Sequence, residues 1–278
     1  MKLGTNLRNW GDQAYREPML ACAQIADQSG LHSIWVNDHI GFPPKIEQND
    51  FELPEDFGHI LDPLCALAFL AAGTRRVMLG TAVLLLPYRP SLLTAKWIAS
   101  LQVLSEDRIV LGVGAGWMAE EFRALGVARS RRGALTDEGL DFLHQCFAHD
   151  IIEPHGQPLR FAPRPTRPDF LIGGGPNIAI PRAIERGDGW MPVGMGPEEL
   201  VGHIRMLEEQ ARAAGRGSMQ SVAMKTLPLD NPAQAIGLAQ AYRDAGVTEL
   251  VHTQGVSHPD EYRRVVEFLD SRVLPAIQ

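Results

Sequence analysis

Short apolar runs alternate along this chain with longer stretches in which apolar residues recur every three or four positions. The short runs read as strands: Leu3–Leu7, Ser33–Val36, Val77–Leu85, Arg108–Val113, Phe170–Ile172, Gly189–Pro192, Ser221–Thr226 and Glu249–Thr253. The longer stretches read as amphipathic helices: Tyr15–Gln28, Pro63–Ala72, Ser91–Leu104, Thr136–Cys146, Ile178–Arg186, Pro197–Ala214, Pro232–Ala245 and Pro259–Leu274. Pro63, Pro197, Pro232 and Pro259 suit a first helical turn, where a missing N–H costs nothing. Strict alternation of strand and helix predicts an α/β fold with a parallel sheet and right-handed crossovers. Eight repeats of the unit fit a closed (β/α)8 TIM barrel.

Three connections exceed simple turns: Asn37–Leu61, Trp117–Gly133 and the proline-rich Phe147–Asp169. The first two follow strands, so they predict insertions over the C-terminal face of the barrel, where such folds assemble their sites. The third follows a helix and starts from the opposite end. With 278 residues, 45% of them hydrophobic and 21% charged, the chain suits one domain spanning 1–278.

A net charge of −7 argues against nucleic acid or an anionic membrane as partner. The longest apolar runs, near Leu64–Ala72 and Val77–Leu86, fall short of the roughly 20 residues of a membrane span. Met1–Lys2 leads directly into the first strand without a signal-like segment, and a cytoplasmic location is expected. Cys22, Cys65 and Cys146 have no metal-type spacing and are expected to be buried thiols in a reducing compartment. No zinc motif, Walker loop or Gly-x-Ser-x-Gly elbow is present, and no metal is expected.

The candidate chemistry sits where strands end. Asp38 and His39 follow the second strand; they place either a carboxylate and an imidazole at the barrel mouth or a structural Asp–His contact in a capped loop. Gly112-Val113-Gly114-Ala115-Gly116-Trp117 lacks the third glycine of a dinucleotide fingerprint. Its glycines instead suit a strand that ends close to a planar ligand. Gly173, Gly174, Gly175, Pro176 and Asn177 precede a helix and read as a phosphate loop, or as a tight strand-to-helix turn. Trp10 and Arg8 follow the first strand and face a pocket on this reading. Arg89 is open between an anion anchor and a surface residue. Glu120 and Glu121 are expected to be solvated or salt-bridged, and His252 has no visible partner.

Several of these pieces, in order and spacing, resemble the bacterial luciferase-like oxidoreductases. They are Leu79-Gly80-Thr81, Pro87-Tyr88-Arg89-Pro90, Ala95-Lys96, Leu104-Ser105 with Arg108, Gly112–Trp117 with Glu121-Phe122, and Gly187-Asp188-Gly189-Trp190. The resemblance implies a barrel enzyme that uses deazaflavin (coenzyme F420) or flavin mononucleotide (FMN). It implies that His39, with Asp38, moves a proton near the reactive ring. It further implies that Gly80, Thr81, Ala82 and Val83 support the ring through a cis Ala82–Val83 bond, with Gly114 beside it. The loop Gly173–Asn177 then takes the cofactor phosphate, and the Phe147–Asp169 insertion covers the site as a lid. Family members that oxidise sugar phosphates carry a glutamate where this chain has Trp117, so Trp117, with Trp10, is expected to line an apolar substrate pocket.

The leading expectation is hydride transfer between F420 and a small organic substrate. The alternative is an FMN-dependent monooxygenase fed by a separate flavin reductase, and a further one is a cofactor-binding barrel without catalysis. A homodimer is expected from the resemblance.

Overall fold

A computed structural model of the chain describes residues 1–44, 58–256 and 258–278. Eight parallel strands close into a barrel in sequence order. They are β1 (Lys2–Asn6), β2 (Ser33–Val36), β3 (Met78–Leu85), β4 (Ile109–Gly114), β5 (Asp169–Gly173), β6 (Gly189–Met191), β7 (Gln220–Lys225) and β8 (Glu249–His252). β8 closes on β1 with Lys2 opposite Glu249 and Thr5 opposite His252. The outer ring comprises α1 (Arg16–Asp27), α2 (Pro63–Gly73), α3 (Ser91–Ser105), α4 (Ala119–Ala124), α5 (Arg132–Ala148), α6 (Pro176–Arg186), α7 (Pro197–Ala213), α8 (Pro232–Asp244), α9 (Pro259–Phe268) and α10 (Leu274–Ile277). Each predicted strand is present within a residue or two, and the expected proline starts stand at α2, α7, α8 and α9, with Pro176 adding α6.

The strands alternate their side chains between two separate apolar layers. Those turned outward, such as Leu3, Ile34, Leu79, Leu111 and Phe170, pack under the helices. Those turned inward, Trp35, Val110, Leu171, Met191, Val222 and Val251, fill the barrel. Trp35 occupies so much of that interior that its neighbour on β3 must be glycine. A Cβ on Gly80 would lie 2.6–2.7 Å from Trp35 ring atoms. β3 shifts register against β4 between Thr81 and Leu84. The Ala82–Val83 peptide bond lies within that shift and is cis, as the resemblance implied.

The Trp117–Gly133 connection holds α4 and a 3-10 turn, Arg129–Arg131, leading into α5. One expectation is corrected here. The Phe147–Asp169 insertion is not a lid. It forms a small hairpin, Ile151–Ile152 against Leu159–Arg160. Phe161 is buried with Phe147 in the outer core, while Lys96 and Gln102 of α3 donate to the carbonyls of Ala162 and Thr166. Those contacts hold the segment on the outside of the barrel. Within the Asn37–Leu61 connection, residues 45–57 lie outside the described residues. Cys22 and Cys146 are buried as expected, whereas Cys65 is exposed on α2. No helix among the described residues is long and apolar enough to cross a membrane.

Candidate active site

A cavity of about 660 Å³ opens at the carboxyl ends of β3, β4 and β5. Val83 and Leu85 line it from β3, Gly114–Trp117 from the end of β4, and Gly173–Gly175 from the end of β5. Ser130, Arg132 and Arg182 close one end. The volume falls within the range of about 300–1,000 Å³ typical of small-molecule sites.

Gly114 of β4 and Gly173 of β5 make room for one side chain, whereas Gly112 first makes room for the Thr81 carbonyl. A Cβ on Gly114 would collide with the Val83 side chain, and one on Gly173 would stand 2.9 Å from it. A Cβ on Gly112 would be 2.9 Å from Met191 and 3.1 Å from Val83. The missing side chains let Val83 lie across the strand ends as cavity wall. This corrects the sequence reading of the β3 residues. Gly80 is taken up by Trp35, Thr81 is buried with its hydroxyl donating to the Gly112 carbonyl at 2.8 Å, and the Ala82 carbonyl accepts from Asn37. Of Gly80, Thr81, Ala82 and Val83, Val83 is the one that lines the cavity.

The β5 loop leaves fewer backbone N–H groups available than its three glycines suggest. The Gly174 N–H is spent on the Met191 carbonyl at 3.3 Å, and Pro176 has no N–H to give. Ile178 and Ala179 already donate to the Gly175 carbonyl. The N–H groups of Gly175 and Asn177 are left facing the start of α6 without an internal acceptor among the described residues. A Cβ on Gly175 would meet nothing within 4 Å, so there is open space beside its N–H. Arg182 stands at the same end but is engaged by Asp137 at 2.6 Å. Arg132 donates to the Arg129 carbonyl, and no acidic side chain pairs with it among the described residues.

His39 and Asp38 separate. Asp38 turns away from the cavity, its side chain fully buried. Arg89 donates to both of its oxygens at 2.6 and 2.8 Å, and the Leu85 N–H adds a third bond at 2.8 Å. Arg89 also donates to Asp62 at 2.7 Å, the residue that caps α2 through the N–H groups of Leu64 and Cys65. Burial pushes the Asp38 carboxyl above its usual value against the pull of Arg89. Arg89 is therefore a buried bolt between the end of β2, β3 and α2, not a surface residue, and its guanidinium is already engaged by Asp38 and Asp62.

The partner of His39 is Glu121 of α4, for which the sequence left a solvated and a salt-bridged role open without naming a partner. His39 Nδ1 lies 3.0 Å from Glu121 Oε2, with the carboxylate side chain only 3% exposed. Glu121 also accepts from the Ile40 N–H at 2.6 Å and the Tyr88 hydroxyl at 2.9 Å. Burial raises this carboxyl, but the bonds from His39, Ile40 and Tyr88 outweigh it and hold it below its usual value. Tyr88 is pushed up in turn by burial and by the charge of Glu121. A signal for Glu121 existed in the sequence. It lies on the same helical face as the apolar Met118, Phe122 and Leu125, at spacings of three, one and four. The His39 ring packs against Phe42 and meets the Trp117 ring edge-on at 6.1 Å. Trp117 is 43% exposed and lines the cavity, so His39 stands at its rim.

Trp10 is not part of this cavity. Arg8 lies over its ring at 4.4 Å, and its backbone bridges to Ile60. His252, without a visible partner in the sequence, accepts from the Leu227 N–H at 3.1 Å and meets Gln254 at 3.1 Å, joining the loops after β7 and β8. Among the described residues, no three His, Cys, Asp or Glu side chains are grouped so as to hold a metal ion.

The comparisons with known proteins agree with this architecture. The chain is 27% identical over 261 residues to an F420-dependent glucose-6-phosphate dehydrogenase of Kineococcus radiotolerans, covering 88% of this chain and 73% of the relative. In fold it matches the monooxygenase RslO1 of Streptomyces bottropensis, with a TM-score of 0.80 at 21% identity and full coverage of both chains. It also matches the oxygenating constituent of 3,6-diketocamphane monooxygenase of Pseudomonas putida, solved with FMN, with a TM-score of 0.79 at 15% identity over 100% of this chain and 99% of that one. The first of these proteins is F420-dependent, and the last was solved with FMN. Residues 3–264 match the family described as luciferase-like monooxygenase, and with nearly its whole length so matched the chain belongs to that family of oxidoreductases.

Proposed function

We propose that this protein transfers hydride between coenzyme F420 and a small, largely apolar organic substrate, with His39 handling the proton. The observation that carries this reading is the shape and chemistry of the cavity: an apolar wall at Val83 and Leu85, two available N–H groups at the start of α6, and Arg132 beyond them. A tricyclic head with a phosphate-bearing side chain fits such a space. The basic end favours the longer, more acidic tail of F420 over FMN, which stops at a single phosphate.

In this reading the Gly175 and Asn177 N–H groups bind the phosphate, and Arg132 neutralises the charge that follows it. Val83 backs the ring. A bound deazaflavin supplies a carbon at ring position five that gives or takes hydride. Trp117, Ile178 and Val193 form apolar walls for the substrate. His39 takes or returns a proton at the substrate oxygen, since an imidazole ring carries both a donor and an acceptor nitrogen.

The test is a fluorescence titration of the purified apoprotein with F420 and, separately, with FMN. Tight binding of F420 with weak binding of FMN supports the proposal. Tight binding of FMN alone overturns it in favour of a two-component monooxygenase with a partner reductase. Binding of neither overturns the assignment of the β5 loop as a phosphate site. If F420 binds but His39→Ala leaves turnover unchanged, His39 is removed from the mechanism.

A further inference from the structure

We propose that Glu121 is a positioning residue that locks His39 in the Nδ1–H tautomer, so that the Nε2 lone pair is the proton acceptor offered at the cavity rim. The inference rests on the proposed role of His39 and goes one step behind it, to what decides which ring nitrogen can react.

The argument follows from donor and acceptor counting. An ionised carboxylate only accepts hydrogen bonds. Glu121 Oε1 accepts from the Ile40 N–H at 2.6 Å, and a backbone N–H has no other role to play. Oε2 accepts from the Tyr88 hydroxyl at 2.9 Å and faces His39 Nδ1 at 3.0 Å. With donors on every other side, the carboxylate gains from Nδ1 only if that nitrogen carries a hydrogen. The neutral ring then has its lone pair on Nε2, which no described residue hydrogen-bonds. The ring is also held in place: Phe42 packs on it with centroids 4.6 Å apart, and Trp117 meets it nearly perpendicular, at 84°. Rotation to offer Nδ1 to the cavity would break the Glu121 bond and leave a carboxylate that is 3% exposed short of a donor. A hydrogen bond to one ring nitrogen that sets the role of the other is a general device of histidine chemistry.

The substitution that separates this from simple support is Glu121→Gln. The amide of that variant keeps its carbonyl on the Ile40 N–H, which turns its NH2 toward His39. An NH2 group donates, so Nδ1 becomes the acceptor and the hydrogen moves to Nε2. The readout is the long-range proton–nitrogen NMR spectrum of the 15N-labelled apoprotein at mildly alkaline pH, with residue 39 assigned by its absence in His39→Gln. The wild type is expected to show a pyrrole-like Nδ1 and a pyridine-like Nε2. Glu121→Gln is expected to exchange the two, and Glu121→Asp to retain the wild-type pattern at least in part. Tyr88→Phe removes a donor to the same carboxylate without touching the His39 bond, and is expected to keep that pattern. Diethyl pyrocarbonate, which acylates an accessible unprotonated ring nitrogen, should modify residue 39 in the wild type and lose that reaction in Glu121→Gln.

A wild-type spectrum with hydrogen on Nε2 overturns the proposal even if the Gln variant does not fold. So does a Gln variant that folds and leaves the tautomer unchanged. Both readouts are taken without cofactor. Their failure would refute the tautomer assignment and leave the F420 reading standing, while failure of F420 to bind would do the reverse.

Discussion

Removing Arg89 should show how much of the barrel mouth depends on one buried cation. In Arg89→Met the chain keeps a side chain of similar length but loses both bonds to Asp38 and the bond to Asp62. Asp38 is then a fully buried carboxylate with a single remaining donor, the Leu85 N–H. Breaking one side of a buried ion pair costs about 3–5 kcal/mol, because the surviving charge stays desolvated. Asp62 adds little, since its side chain is 40% exposed and water replaces the lost partner. The expected loss at neutral pH is therefore about 3–4 kcal/mol, a large part of a typical total stability of roughly 5–15 kcal/mol. Equilibrium urea unfolding, followed by tryptophan fluorescence, measures it.

The pH dependence gives the reasoning a second check. Burial already pushes the Asp38 carboxyl up while Arg89 is present. Without Arg89 it rises further. A carboxyl whose folded value lies above its unfolded value contributes stability that is present below the unfolded value, about 3.9, and lost as pH rises. The gap between wild type and variant should thus narrow as pH falls, and Asp38→Asn placed on Arg89→Met should recover much of the loss at neutral pH. A loss under about 1 kcal/mol, the scale of a surface pair, would refute the claim that this cluster bolts β2, β3 and α2 together. A loss that stayed constant with pH would refute its assignment to the Asp38 charge.

Four further outcomes are expected. Burial holds His252 and His32 down to about 4, so each is neutral in the fold and its share of stability disappears as pH falls from about 6.5 toward 4; urea titrations of His252→Gln should show a shallower loss across that window than the wild type. Gly80→Ala should destabilise by about 1–3 kcal/mol through overpacking against Trp35, whose indole donates to Ser33 at 2.6 Å and cannot easily shift. Gly202→Ala, on an exposed turn of α7 with nothing within 4 Å, should instead be neutral or stabilising by about 0.5–1 kcal/mol in the same unfolding assay. We propose that the expected homodimer pairs through α3, where Leu93, Trp97 and Leu104 stand exposed along one face beside an apolar groove shared with α2; light scattering should give twice the 30.5 kDa chain mass for the wild type and the single mass for Trp97→Glu, and a monomeric wild type would end the idea.

Much of the barrel was legible in the sequence because strand and helix are read from local periodicity. Leu3–Leu7, Val77–Leu85 and Glu249–Thr253 are short apolar runs between helical patterns, and each run becomes a barrel strand. Several of the motif pieces meet in the structure, where Val83, Gly114, Trp117 and Gly173–Gly175 line one cavity at the ends of β3, β4 and β5. What local pattern could not supply was which side chains meet. Trp35 dictates Gly80 from 45 positions away in sequence, and Val83 dictates Gly114 on the neighbouring strand and Gly173 on the strand beyond it. Asp38 and His39 are adjacent in the chain, yet one turns into an ion pair with Arg89 and the other toward the cavity rim, because successive side chains at a strand end point to opposite sides. His39 finds Glu121 only because the barrel brings the ends of β2 and β4 together across 82 residues. The alternation of apolar and polar residues determined the elements and their order; the closure of the barrel decided which charges became partners, because only there do residues distant in sequence share one dry, low-dielectric space.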